Sequence, residues 1–183
     1  MAVTASADHK VVDRRRMELI EPGLPVAPIH NVGGPHLLHR PARPLDDNAL
    51  AALAAEVRAS VVRAASAALD ELAAALPDPI VSMSLRAWPA DFPQDIAVQR
   101  RVPYESRADP IMYRQVLAQL GRARGWEVHL YAKDVEEAAI GMLGSERMRS
   151  FTVRGQRSDH PGPRIIGGHW LPTIMAARVS PGR

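Results

Sequence analysis

The sequence predicts an α/β domain with a small, mainly parallel sheet, and three observations support that prediction. Residues 80–85 alternate apolar and polar side chains, which is typical of a β-strand. Residues 109–124 repeat apolar side chains every four positions, as a helix does, and residues 126–131 alternate again. A strand, a helix and a second strand of one sheet form a βαβ unit, in which the two strands are parallel.

A long N-terminal helix is predicted over residues 46–76. Pro44 and Pro77 bracket it, and Asp46 or Asp47 can cap its first turn. The apolar side chains that recur at three- and four-residue steps are Leu50, Leu53, Val57, Val61, Ala65, Leu69, Leu72 and Leu76. At about 1.5 Å per residue the helix would span roughly 45 Å. We therefore expect either a simple core helix or one whose first half overhangs the sheet, bends, or meets a second copy of the chain.

The two ends of the chain give weaker signals. Residues 1–44 predict an extended, proline-rich arm, and residues 45–183 predict a single α/β domain. The prolines of the arm are Pro22, Pro25, Pro28, Pro35, Pro41 and Pro44. Residues 172–177 predict a last short helix before a frayed end.

Composition limits the kinds of site the protein can have. The chain of 183 residues has no cysteine, which excludes disulfides and thiolate metal sites. It has neither a long uncharged apolar run nor the apolar core of a signal peptide, so we expect a cytoplasmic protein with no membrane partner. The basic residues are 21 arginines and 2 lysines, but the net charge is only +3. The net charge is therefore compatible with nucleic-acid binding but does not require it.

Residues 86–108 form a connection that is longer than the predicted fold requires. At 23 residues this connection exceeds the roughly 12–15 above which an irregular loop is usually functional or disordered. It follows the carboxyl end of the first predicted strand, and residues 131–134 follow the second. Ligands of open α/β sheets bind at that edge, so we expect the two segments to form a functional rim.

Acidic side chains of this rim give one chemical hypothesis. Clustered carboxylates bind Mg²⁺ or Mn²⁺, as in two-metal phosphodiester cleavage, and a lysine can stabilise the developing charge. The candidate catalytic residues are Asp91, Asp95, Glu105 and Lys133, with Asp91 and Asp95 as metal ligands. The alternative is that the loop acids pair with arginines and that Asp109 and Asp134 only cap helices. Whether the protein is an enzyme stays open.

Basic and aromatic side chains of the same loop give a second hypothesis. Guanidinium groups bind phosphates through paired hydrogen bonds, and an aromatic ring can stack on a base. The candidate residues for binding phosphate or nucleic acid are Arg86, Arg100, Arg101, Tyr104, Arg107 and Arg114. A solvated arginine surface is the alternative.

Together these patterns predict binding of a phosphate-bearing ligand at the rim, with nucleic acid as the best guess, and they leave open whether the ligand is also processed with the help of a metal ion. The alternative is a non-catalytic interaction or assembly protein. It would use the N-terminal arm and helix 46–76 to join a protein partner or a second copy of the chain.

Several runs in the centre of the chain resemble an uncharacterised family of bacterial proteins. They are LRAWPADFP at 85–93, QRR at 99–101, PYE at 103–105, RAD at 107–109, MYRQVL at 112–117 and GWEVH at 125–129. The resemblance covers about residues 80–140 and implies a shared fold. It implies no particular activity, because none is established for that family.

Overall fold

The computed structural model describes residues 1–33, 45–132 and 175–179. Its strands are β1 (Ala2–Ala5), β2 (Val11–Arg15), β3 (Ile80–Arg86), β4 (Glu127–Tyr131) and β5 (Met175–Val179). Its helices are α1 (Asp47–Ala74), α2 (Ile96–Gln99) and α3 (Glu105–Ala123), preceded by a turn of π-helix at Pro28–Gly33. The chain divides into two units. The first comprises Met1–Leu130 and Thr173–Arg183, and the second is Tyr131–Pro172.

The sheet is mixed, so the prediction of a mainly parallel sheet is wrong. Its strand order is β2-β1-β5-β3-β4. Strand β1 pairs antiparallel with β2 and parallel with β5, and β5 pairs antiparallel with β3. The error arises from β5, because the sequence predicted a helix over residues 172–177 where a strand enters the middle of the sheet. The predicted succession of strand, helix and strand is present as β3, α3 and β4, and β3 and β4 are neighbours.

The first 33 residues are part of the fold and not an extended arm. Strand β1 lies between β2 and β5, and its alternate residues Ala2 and Thr4 are fully buried. The segment then continues to the π-helical turn, where Ile29 is also buried. The prolines misled the prediction because they follow the two strands, and the strands themselves contain none. Residues 34–44, the rest of the predicted arm, lie outside the described residues.

Strand β3 departs from strict alternation at its start. The pairing with β5 shifts register between Ile80 and Ser82, and Val81 is 39% exposed although the sequence placed it with Met83 and Leu85. A bulge of this kind leaves one residue out of the ladder and restores the alternation after it. Met83 and Leu85 are accordingly fully buried.

Helix α1 confirms the helix predicted at 46–76. Asp46 caps it by accepting a hydrogen bond from the Ala49 amide at 2.8 Å. In its second half, Ala65, Leu69 and Leu72 pack with the sheet and with α3 in one apolar cluster. None of the helices in the described ranges is long and apolar enough to cross a lipid bilayer.

The first half of α1 packs on other parts of the same chain. Val57 and Val61 lie in a cluster with Val116 of α3, and the side chains of Leu19 and Leu24 border it. The overhang predicted from the helix length is therefore covered by α3 and by the segment before the π-helical turn.

Helix α3 begins earlier than predicted and ends as predicted. Its first residue is Glu105, so Asp109 and Pro110 lie in its second turn and do not begin it. At the other end Gly125 has a φ of 76°. The amide of Trp126 bonds to the carbonyl of Gly121, and that of Gly125 bonds to the carbonyl of Arg122. This pair of bonds is the Schellman motif expected of a glycine just after a helix.

Candidate functional site

A pocket of about 240 Å³ lies between the first half of α1, the π-helical turn, residues 92–99 and α3. We call it the α1–α3 pocket. Its apolar wall consists of Pro28, Ile29, Ala51, Ala54, Ala55, Phe92, Ile96, Ala108, Ile111 and Met112. Its polar side chains are Arg58, Gln94, Gln99, Asp109 and Gln115. A concave surface that combines apolar side chains with a few polar groups is the usual form of a small-molecule site.

Asp109 is the polar residue of this pocket with the most unusual environment. Its side chain is 1% exposed. One carboxylate oxygen accepts a hydrogen bond from the Ile29 amide at 3.2 Å, and the other accepts one from the His30 amide at 2.9 Å. Burial raises the pKa of Asp109 from 3.8 to about 6, although the two backbone amides oppose the rise. A carboxyl group whose pKa is raised by burial in this way is common in functional sites.

Asp109 belongs to a polar stripe on the buried side of α3. Glu105, Asp109 and Tyr113 follow at four-residue steps, which places them on one face of the helix, and all three are buried. The Tyr113 hydroxyl donates to the carbonyl of Val26 at 3.0 Å. Burial, with a smaller effect of the nearby Asp109 charge, raises the pKa of Tyr113 to about 12. Asp109 and Tyr113 therefore hold the segment around the π-helical turn against α3.

Two of the arginines predicted to bind phosphate are engaged within the fold. Arg100 donates to the carbonyls of Gly33 at 3.1 Å and Leu45 at 2.8 Å, and its Nη1 lies 2.5 Å from Asp47. It thereby ties the loop to the end of the π-helical turn and to the start of α1.

Arg114 has a comparable role at the other end of the loop. It donates to the carbonyls of Pro110, Arg86 and Ala87 at 3.0, 3.3 and 3.2 Å. The guanidinium therefore ties the exit of β3 to α3.

The remaining predicted phosphate ligands divide into two groups. Arg101 and Arg107 are exposed, and Arg86 is half-buried. Tyr104 packs edge-on against Phe92, with the two ring centroids 5.8 Å apart. The aromatic side chains of the loop thus contribute to a local core.

The acidic residues predicted for catalysis are not gathered into a metal site in the described part of the chain. Asp91 and Asp95 are exposed, and Asp95 caps α2 by accepting from the Ala97 amide at 2.9 Å. Glu105 is 3% exposed and lies in the stripe of Asp109. Among the described residues no group of three or more His, Asp or Glu side chains is placed to hold a metal ion. Lys133 and Asp134 lie outside the described residues.

Helix α1 was also predicted as a surface for assembly. Its large apolar residues Leu50, Val57, Val61, Leu69 and Leu72 are fully buried within this chain. The large apolar side chains that are exposed in the described part of the chain all lie elsewhere. The helix therefore contributes core and pocket wall, and it has no exposed stripe of large apolar side chains.

Sequence reasoning missed the α1–α3 pocket, although parts of it leave a signal. Ala51, Ala54, Ala55 and Arg58 share one face of α1 by their spacing, and the small side chains leave room beside it. The sequence did not indicate that residues 28–29 line the pocket, because no local pattern shows that this segment packs on α3.

Comparison of the chain with protein-family models, with curated proteins and with solved structures found no match in any of the three. The resemblance to an uncharacterised bacterial family therefore stays a prediction, and the functional argument depends on the geometry of the site.

Proposed function

We propose that this protein binds a small organic molecule in the α1–α3 pocket. The observation that supports the proposal most strongly is the pocket of about 240 Å³ itself, whose wall includes Asp109, a carboxyl residue that is 1% exposed. A buried carboxylate is costly unless it is paired or performs a task. Here it is held in place by two backbone amides at the wall of the pocket.

The size of the pocket limits the ligand. Sites for drug-sized ligands usually have volumes of roughly 300–1,000 Å³. At about 240 Å³ the α1–α3 pocket lies just below that range. It therefore suits a small molecule with a compact apolar body, which would pack on Phe92, Ile96 and Ile111.

A pocket-filling substitution tests the proposal. Ala55 lines the pocket and is exposed, so Ala55→Leu fills space without compressing the core. Ala67→Leu is the matched control, because Ala67 is also exposed on α1 but does not line the pocket. We expect fragments found by ligand-observed NMR to bind the wild type and the Ala67→Leu variant, and to lose binding in the Ala55→Leu variant. If both variants bind the same fragments as the wild type, the pocket is not the site.

Binding of a phosphate-bearing ligand, with nucleic acid as the best single guess, is a second candidate. The observation that favours it is that Arg101 and Arg107 are exposed and have no ion pair within the described residues. They lie just before and within the first turn of α3, where the helix dipole also favours anions. Both were predicted to bind phosphate from the sequence alone.

Fluorescence anisotropy with short DNA and RNA across a salt series tests this second candidate. Each neutralised phosphate contributes a slope of roughly −0.7 to −0.9 to the salt dependence of the logarithm of the affinity. We expect the double substitution Arg101→Ala and Arg107→Ala to lower that slope. Arg122→Ala, at another exposed arginine of α3, should leave it unchanged. Cleavage only with added Mg²⁺ would implicate Asp91 and Asp95, and no binding at low salt would reject the candidate.

A further inference from the structure

Arg58 is the charged side chain of the α1–α3 pocket that the fold itself does not use. It lines the pocket from α1 and is half-buried. It makes no hydrogen bond and no ion pair with residues 1–33, 45–132 or 175–179. Within that part of the chain, the N–H donors of its guanidinium are therefore left for water or for a ligand.

The other half-buried arginines of the described chain show what such a side chain usually does here. Most of them hydrogen-bond to an acid or to backbone carbonyls, namely Arg15, Arg100, Arg114 and Arg124. Arg86 makes no such bond to a described residue either, but it does not line the pocket. Arg58 thus differs from the rest by combining a position at the wall of the pocket with a guanidinium that no described residue binds.

The sequence of α1 gives Arg58 no acidic neighbour on its side of the helix. The residues three and four positions away are Ala54, Ala55, Val61 and Val62. Glu56 is only two positions away, but residues at that spacing do not face each other on a helix. The positive charge of Arg58 therefore receives no counter-charge from its own helix.

The carboxylate of Asp109 does not supply the counter-charge from the opposite wall. Its two oxygens accept hydrogen bonds from the amides of Ile29 and His30, and it is 1% exposed. It forms no ion pair with Arg58. Of the two charged side chains that line the pocket, Arg58 is therefore the one with surface that a ligand can reach.

An apolar surface adjoins Arg58 in the pocket. Four buried side chains of the pocket wall form one cluster: Ile29, Phe92, Ala108 and Ile111. Ala54 packs against this cluster, and it lies one helical turn before Arg58 on the same face of α1. Because side chains on a helix lean toward its N-terminus, Arg58 leans toward Ala54 and the cluster. A ligand that contacts both needs an acidic group joined to a compact apolar body.

From this arrangement, and resting on the proposed pocket function, we infer that the ligand is a small carboxylate with a compact apolar body. The guanidinium of Arg58 binds the two carboxylate oxygens through a pair of N–H donors, a geometry that arginine offers and lysine does not. The apolar body packs on Phe92, Ile96 and Ile111. Gln115 also lines the pocket, and its side-chain amide makes no hydrogen bond to a described residue, so it can donate a further bond.

Matched acids and amides test the charge separately from the shape of the ligand. Benzoate, phenylacetate and cyclohexanecarboxylate each differ from their primary carboxamide by one charge and little in size. Benzamidine has the opposite charge to benzoate on the same ring. In protein-observed NMR titrations of the full chain, we expect at least one acid to bind roughly fivefold or more tightly than its amide, because hydrogen bonds to charged groups are the stronger ones. Benzamidine should bind more weakly than benzoate.

Arg58→Gln removes the charge without removing a hydrogen bond of the described fold. It should lower the affinity of the preferred acid to that of its amide. Arg122→Gln is the matched control, because Arg122 is an exposed arginine of α3 that does not line the pocket. It should leave both affinities unchanged.

The inference would be overturned if no acid bound more tightly than its amide, or if the preference survived in the Arg58→Gln variant. The proposed pocket function is judged by a different variant. If Ala55→Leu still removes the binding of uncharged fragments, the pocket is a binding site and only its preference for carboxylates is wrong. If Ala55→Leu has no effect on any fragment, the proposed function fails as well.

Discussion

Arg100 and Arg101 are neighbours in the sequence, and the structure gives them opposite surroundings. Arg100 belongs to what we call the inner face of segment 100–114, which comprises Arg100, Glu105, Asp109, Tyr113 and Arg114. Four of these side chains hydrogen-bond to backbone groups of residues 26–33, 45, 86, 87 and 110. Arg101 and Arg107 form the outer face, which is exposed.

This difference shows that polar side chains have a structural role on one side of the segment and are exposed on the other. The side chains of the inner face hydrogen-bond to irregular backbone near α3. Buried backbone N–H and C=O groups need hydrogen-bond partners, and where few strands are present the side chains supply them. The side chains of the outer face make no such hydrogen bonds to the described residues. Residue type alone does not distinguish the two, because arginine occurs on both.

The largest effect expected on the inner face is a pH dependence from Asp109. Its folded-state pKa of about 6 lies above the ordinary 3.8, so between those values the folded chain keeps a proton that the unfolded chain has lost. The free energy of unfolding should therefore fall by ~3 kcal/mol as the pH rises from about 3 to about 7, and it should level above that. Urea denaturation across this range, with Asp109→Asn as the non-titrating reference, measures the effect.

The reference variant makes the sign testable. Every other titrating group is common to both proteins, so the difference in unfolding free energy between wild type and Asp109→Asn isolates Asp109. That difference should move in favour of the wild type as the pH is lowered. A difference that stays constant, or that moves toward the variant, would mean that the carboxyl group is not buried as described.

Two single substitutions, Arg100→Ala and Arg101→Ala, test the comparison at neighbouring residues that lie on different faces. Arg100→Ala leaves the carbonyls of Gly33 and Leu45 without their donor, and we expect a loss of about 1–3 kcal/mol in unfolding free energy. The contact with Asp47 should add little, because that carboxylate is half exposed. Arg101→Ala should stay within about 0.5 kcal/mol of the wild type. Urea denaturation followed by circular dichroism measures both, and equal losses would contradict the division into two faces.

Features that depend on neighbouring residues could be predicted from the sequence. The span of α1, its Asp46 cap and the Gly125 end of α3 follow from a helical period and from side chains within one turn of each terminus. Strand β5 could not be predicted in the same way. Its sequence, Met-Ala-Ala-Arg-Val, has no clear alternation, and its partner β1 lies more than 170 residues away.

Asp109 shows why the site was harder to predict than the helices. The pair Asp109-Pro110 indicates a helix cap, and Asp109 does accept hydrogen bonds from the first amides of a helical turn. The turn it caps is Pro28–Gly33, about 80 residues away, and not the helix that contains it. The sequence thus predicted the chemistry of this side chain correctly and its partner wrongly. That partner is what makes Asp109 part of the pocket.

The smallest expected effect compares two tyrosines. Tyr113→Phe removes the hydrogen bond from the hydroxyl to the carbonyl of Val26, and Tyr104→Phe removes a hydroxyl that has no partner among the described residues. We expect Tyr113→Phe to lower the unfolding free energy by about 0.5–1.5 kcal/mol, since a typical hydrogen bond contributes about that much. Tyr104→Phe should be nearly neutral, because its ring contact with Phe92 is preserved. Chemical denaturation of both variants in one buffer gives the comparison. If the two losses were equal, the hydroxyl of Tyr113 would not be what holds residue 26 to α3, and Asp109 alone would have to fix the wall of the pocket.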